Sequence, residues 1–109
     1  MSDNVKFVFV TINGQEVVRC TPDPVDVSGV NVLINFRIVT DGWVFPETGA
    51  VTVANGGSTF PYPSWTLGPQ SAGLLDTGVE KGDFSYTLAL NHVASGRRVT
   101  ADPSIRNQD

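Results

Sequence analysis

Cysteine, histidine and methionine occur once each in this chain, and the scarcity of the first two removes whole classes of chemistry. A lone thiol, Cys20, closes no internal disulfide. A metal centre needs several imidazole, thiolate or carboxylate ligands converging on one point, and His92 has no such companions, so neither a metal nor another cofactor is expected. Positive charge is also scarce. Seven Lys and Arg face eleven Asp and Glu, a net charge of -4 that repels phosphate backbones and anionic lipid, so nucleic acid and membrane are not expected partners. No run approaches the ~20 apolar residues of a membrane-spanning helix. The opening MSDNVKFVFVTINGQ is interrupted by Lys6 and Asn13 and is followed by no small-residue cleavage site, so no signal peptide is read and the cytoplasm is the expected compartment. The nucleophile elbow, the HExxH zinc motif, the P-loop and paired CxxC are all missing.

What the chain does have is punctuation. Eleven glycines and seven prolines divide runs rich in Val, Ile, Thr and Phe, and no stretch keeps a 3.6-residue apolar period. Asn13-Gly14, between VKFVFVTI and QEVVRC, predicts a hairpin closed by a type I′ turn. In VNVLINFRIVT the alternation points Val30, Val32, Ile34, Phe36 and Ile38 to one face and Asn31, Asn35 and Arg37 to the other. Phe84, Tyr86, Leu88 and Leu90 share an inward row that His92 continues, and Ser95-Gly96 turns this strand into RRVTA. Phe60, Tyr62 and Trp65, in a proline-rich crossover, are expected to pack on the core. At 109 residues and 40% apolar content, the chain is read as one domain, residues 1–109. The fold predicted is an all-β antiparallel β-sandwich of about seven short strands, Greek-key and Ig-like.

Two motifs invite a chemical reading. Leu74-Leu75-Asp76-Thr77-Gly78 matches the Asp-Thr-Gly signature of aspartic peptidases, but only one hairpin and a tail follow it, and the supporting flap and second apolar strand are missing. A tight turn using Asp and Gly is the better reading. The cluster Arg97, Arg98 and Arg106 reads as a solvated turn and tail.

Asp102-Pro103 is different because its chemistry is intrinsic. The Asp102 carboxyl reaches its own carbonyl carbon through a five-membered ring, giving a cyclic anhydride as the proline nitrogen departs. Alternatively, the carboxylate activates a water against the same carbonyl. Either route needs a fold that strains the junction or tunes the carboxyl, and a donor for the leaving nitrogen. The bland reading is a strand end, because proline lacks an amide hydrogen. Asp23-Pro24, in the TPDPVD loop, shows how ordinary the dipeptide is.

The segments NVLINFRI, FPYPSWTL with its Pro63-Ser64-Trp65, DFSYTLAL and the terminal VTADPSIRN together resemble the DP-EP family of small bacterial β-sandwich proteins, over most of the chain. The resemblance implies aspartic-type self-cleavage, with Asp102 the catalytic carboxylate, Asp102-Pro103 the scissile bond and the chain's own C-terminal peptide the substrate. Electrophile chemistry adds Lys81, before the penultimate strand, as an amine able to capture the anhydride as a Lys-Asp crosslink. With Ser95-Gly96 as the bend, Asp102 falls beside Ala89, with Thr87, Asn91 and Thr100 as polar neighbours; Asn91 and Thr100 are the supporting candidates. Residues 103–109 are expected to form a short C-terminal tail or edge strand, retained after cutting through Ile105. The other reading is a non-catalytic module that binds or assembles, as a homo-oligomer among other ways, through an edge strand or the Phe60 to Trp65 surface.

Overall fold

Alternating runs separated by glycine and proline fold into eleven strands: β1 (Val5–Ile12), β2 (Val18–Thr21), β3 (Val25–Ser28), β4 (Val32–Ile38), β5 (Trp43–Val44), β6 (Val51–Val53), β7 (Trp65–Gly68), β8 (Ser71–Asp76), β9 (Gly82–His92), β10 (Arg98–Ala101) and β11 (Ser104–Gln108). The computed structural model describes residues 4–108; Met1–Asp3, which open the stretch read for a leader, and Asp109, the last residue of the predicted tail, lie outside the described residues. The described residues contain no helix, and therefore none long and apolar enough to cross a membrane. The all-β sandwich is as expected, but the strand count exceeds seven. The extra strands come partly from segments read as loop or tail: β3 follows Pro22 and Pro24, which carry the chain from one sheet to the other, and β11 follows Pro103.

The first sheet has the order β2-β1-β4-β8-β7. In the second, β9 is the spine, with β5 and β6 on one flank and β10 and β11 on the other, and β3 lies outside β11. Neither sheet is purely antiparallel, because β1 runs parallel to β4 and β3 parallel to β11. Those pairings join segments distant in sequence, so local alternation did not disclose them.

Between the sheets lies one core. Val8, Val10, Ile34, Phe36 and Leu74 from the first sheet meet Tyr86, Leu88, Leu90 and Ile105 from the second, each at most 2% exposed. Phe36 and Tyr86 pack with ring centroids 5.3 Å apart, and Phe60 meets Phe84 edge-on at 5.0 Å. Each such buried side chain contributes roughly 1.5–3 kcal/mol of transfer free energy. The inward rows of β4 and β9 are as the alternation predicts, except that Val30 precedes its strand and is exposed. Phe60 packs on the core as expected, whereas Tyr62 and Trp65 do not: their rings pair with each other, 6.2 Å apart, on the surface. Strand β7 is at an edge of its sheet and turns Trp65 outward, which composition could not reveal.

The first hairpin forms, but not with a two-residue turn. Ile12 pairs with Val18, leaving a five-residue loop in which the Asn13 side chain accepts from the amides of Gln15 (2.9 Å) and Val17 (3.0 Å). Glu16 takes the left-handed conformation, φ 63°, instead of Gly14. Asn13 thus organises the loop through its side chain, an alternative that asparagine offers as readily as a type I′ turn.

Candidate functional site

The Asp102-Pro103 junction ends β10, as expected, and lies between it and β11. Strands β10 and β11 pair with β9 in one unbroken register, from Arg98 opposite Asn91 to Asn107 opposite Gly82. The two residues interrupt that ladder without ending it, and the Pro103 carbonyl still accepts from the Tyr86 amide at 3.0 Å. On its far side β11 pairs with β3, so residues 104–108 form an interior strand and not the tail or edge strand expected. The peptide bond is trans, Pro103 is buried, and the Asp102 side chain is exposed, where Thr87 donates to its Oδ1 at 2.9 Å.

A second carboxylate reaches the same place. The Ser104 amide, one residue beyond the junction, donates to Oδ1 of Asp23 at 3.0 Å. Asp23, Asp102 and Pro103 line one open recess of about 330 Å³, together with Arg19 and Cys20. Sequence reasoning used Asp23 only as an example of an ordinary Asp-Pro pair. The signal available was that its loop joins two strands, but the parallel pairing that brings that loop against β11 spans most of the chain.

The other site residues are dispersed. Lys81 precedes β9 while Asp102 lies beside Thr87, a separation of roughly 20 Å along the strand at ~3.4 Å per residue. No Lys81-Asp102 crosslink is within reach in this fold. Asn91 sits opposite Arg98, whose Nε donates to its Oδ1 at 3.0 Å, and makes no contact with Asp102. Thr100 pairs with Ala89 and lies exposed two residues before Asp102. The expected register is two residues off, which preserves faces: Thr87 is correctly a neighbour of Asp102, and Asn91 is displaced. The cause is the loop, where the Gly96 amide reaches the His92 carbonyl (2.8 Å) and closes a longer turn than Ser95-Gly96 alone. His92 is satisfied structurally, with its Nδ1 2.9 Å from the Ser95 hydroxyl and its ring on Trp43. The basic cluster disperses as well, since Arg97 pairs with Glu16, Arg98 with Asn91 and Arg106 with Asp83.

Asp76 of the Asp-Thr-Gly motif is fully buried and holds a turn. Its Oδ1 accepts from the Gly78 amide (2.9 Å) and from Nδ2 of Asn107 on β11 (2.9 Å). Gly78 has φ 74°, and a Cβ there would run into the Gly29 carbonyl, so only glycine fits. Both Asp76 Oδ2 and Asn107 Oδ1 are buried without a hydrogen-bond partner. Burial pushes the Asp76 carboxyl above the usual carboxylate range, against the donors Asn107 and Gly78 and the charge of Lys81, which pull it down. Nearer the recess, burial pushes the Cys20 thiol up to about 11 and raises the Tyr86 phenol, which adjoins Cys20 without an aligned hydrogen bond.

The remaining feature is a surface. Outward rows on the first sheet carry Val5, Phe7 and Phe9 on β1, Leu33, Asn35 and Arg37 on β4, Leu75, Gly73 and Ser71 on β8, and Trp65 and Leu67 on β7. Phe7, Phe9, Trp65 and Leu67 are 47, 45, 44 and 59% exposed, and Phe7 stacks on Phe9 at 6.3 Å. Leu33 and Leu67 lean over Gly73, where a Cβ would stand 3.3 Å from each. The sequence put Asn35 and Arg37 on a wetter face. It did not reveal that Phe7, Phe9 and Trp65 share that face.

No family model and no curated protein matches this chain. The resemblance to the DP-EP family therefore rests on the quoted segments alone.

Proposed function

We propose that this chain is a recognition module whose working surface is the outer face of the β2-β1-β4-β8-β7 sheet. The observation that carries this reading is the concentration of exposed apolar side chains there, Phe7, Phe9, Trp65 and Leu67 around the half-buried Leu33 and Leu75. Large apolar groups gathered on one face mark interaction sites, while single exposed ones mark nothing. The test is amide chemical-shift mapping on labelled protein with an acidic amphipathic peptide, with an acidic oligosaccharide and on raising the protein's own concentration. At least one titration perturbs the amides of Phe7, Phe9, Leu33 and Leu67 as a set. Silence on that face in all three refutes the reading.

A second reading, self-cleavage at Asp102-Pro103, is favoured by one specific observation: Asp23 and Asp102 flank the junction within a single solvent-open recess. One carboxylate would activate water, the other would deliver a proton to the proline nitrogen, and addition of one water would give residues 1–102 and 103–109. The trans linkage and the bond from Thr87 to Oδ1 describe an uncut resting state, in which the other carboxylate oxygen of Asp102 is the one left to act. Whole-protein mass under denaturing conditions, on fresh and aged samples, tests it. Cutting is expected to stop in Asp102→Ala and in Asp23→Ala, and a single intact mass after prolonged incubation refutes it.

A further inference from the structure

We infer that the end of the sandwich at the β7-β8 turn binds a small organic acid, an apolar body of one or two rings that carries a single carboxylate. The site shares Phe9 and Arg37 with the outer sheet face but does not depend on that face being a recognition surface. It is an open pocket where the two sheets part. Phe9, Arg37 and Ser71 enter it from the first sheet, and Trp43, Val44 and Val93 from β5 and the residue after β9. Its volume is about 530 Å³, within the ~300–1,000 Å³ of small-molecule sites.

The walls are tied together before any ligand arrives. Gln70, in the β7-β8 turn, accepts at its carbonyl from the Ile38 amide (2.9 Å), and its Nε2 donates to the carbonyls of Thr40 (3.3 Å) and Trp43 (3.1 Å). The Pro69 carbonyl accepts from the Phe45 amide (2.7 Å), and that of Gly42 from the Val93 amide (2.9 Å). The β7-β8 turn, the loop after β4 and the loop after β9 therefore hold one another. A site formed in advance loses less to ordering when it binds.

The chemistry of the ligand follows from the groups left over. Phe9, Val39 and Val93 line the pocket and are 45, 56 and 63% exposed, so an apolar body is what removes them from water. Among the polar lining side chains, the amide nitrogen of Gln70 is taken up by its two carbonyls. Ser71 Oγ accepts from Asn35 Nδ2 at 3.2 Å, which leaves the hydroxyl proton to donate. Arg37 stands between Phe9 and Ser71 across the ladder, and its guanidinium has no ion pair or hydrogen bond among the described residues. No lining residue is acidic. A guanidinium without a partner beside a hydroxyl donor matches a carboxylate, whose two oxygens accept in one plane. One cation on a chain of net charge -4 suits one negative charge better than the two of a phosphate monoester.

The experiment titrates the whole labelled chain at pH 7 with 2-naphthoate, with neutral 2-naphthamide and with inorganic phosphate, following the backbone amides and the Trp43 indole. Naphthoate is expected to move Gly42, Val44, Ser71 and Val93 as a set and to bind roughly tenfold tighter than naphthamide, the margin of one charge-assisted hydrogen bond. Arg37→Gln should bring the two affinities together, and Val93→Asp, which sets a carboxylate at the rim, should weaken naphthoate roughly tenfold. Both changes are at exposed positions, and an unchanged melting temperature verifies the fold. Equal affinity of the wild type for the two naphthalenes, a response to phosphate alone, or a preference that survives Arg37→Gln overturns the inference. Shifts confined to Phe7, Leu33 and Leu67 overturn it as well, while supporting the recognition reading of the outer face. Silence at the pocket from every probe overturns it and leaves that reading to its own titrations.

Discussion

Replacing Asp76 by asparagine separates the cost of a buried charge from the value of the turn it holds. In the wild type Oδ1 receives two hydrogen bonds while Oδ2 is buried and receives none. The carboxyl is raised from its ordinary 3.8 in the folded protein, so the folded state holds this proton more tightly than the unfolded chain. By linkage its contribution to stability is greatest below that value and declines as pH climbs through the interval between the unfolded and folded pKa values, then stays flat. Asparagine keeps the Oδ1 acceptor for Gly78 and Asn107 and removes the charge. An unsatisfied buried acceptor costs about 1–3 kcal/mol, with charged groups at the upper end, so Asp76→Asn is expected to gain about 1 kcal/mol at pH 7. Each kcal/mol gained moves the melting temperature of a domain this size by roughly 4–8 °C. Toward acid pH, as the wild-type carboxyl takes up its proton, the two proteins should converge. Urea unfolding from pH 3.5 to 8 provides the test, read as variant minus wild type so that the surface pairs of Arg97 and Arg106 cancel. A variant less stable at pH 7 than at pH 3.5, relative to wild type, refutes the argument.

Other consequences are quicker to check. Gly78→Ala meets both a positive φ and the Gly29 carbonyl, so a loss of more than about 3 kcal/mol, or failure to fold, is expected in a thermal melt. Cys20, buried with its thiol pushed up to about 11, should resist iodoacetamide at pH 8 in the native protein and react in urea, with mass spectrometry counting the adducts. If self-cleavage occurs, Lys81→Ala should leave product yield unchanged, since that amine lies roughly 20 Å from the junction at ~3.4 Å per residue; a lost or shifted product would contradict the register of β9.

Local chemistry was legible in this sequence, and long-range pairing was not. Alternation in VLINFRI and FSYTLAL placed the core, and Asp76 with Gly78 announced a turn, because each signal is confined to a few neighbours. The pairing of β3 with β11 is different: it joins Val25 to Ile105, and nothing in either strand names the other. That one pairing turns a presumed tail into an interior strand and brings Asp23 to Asp102-Pro103. The loop after His92 illustrates a subtler failure, where the turn signal was right and its length was wrong, so Asn91 moved away while Thr87 stayed. Trp65 was misjudged because an aromatic in a crossover packs inward or stands on an edge strand according to neighbours that composition does not specify.

The interior position of β11 bears on how the molecule assembles. A nascent chain that ends at Pro103 lacks the strand between β9 and β3, and no earlier segment fills that slot. Closure of the second sheet therefore waits until residues 104–108 have been synthesised, and a short synthetic peptide of that sequence should complement a truncated protein in trans, as a split reporter does.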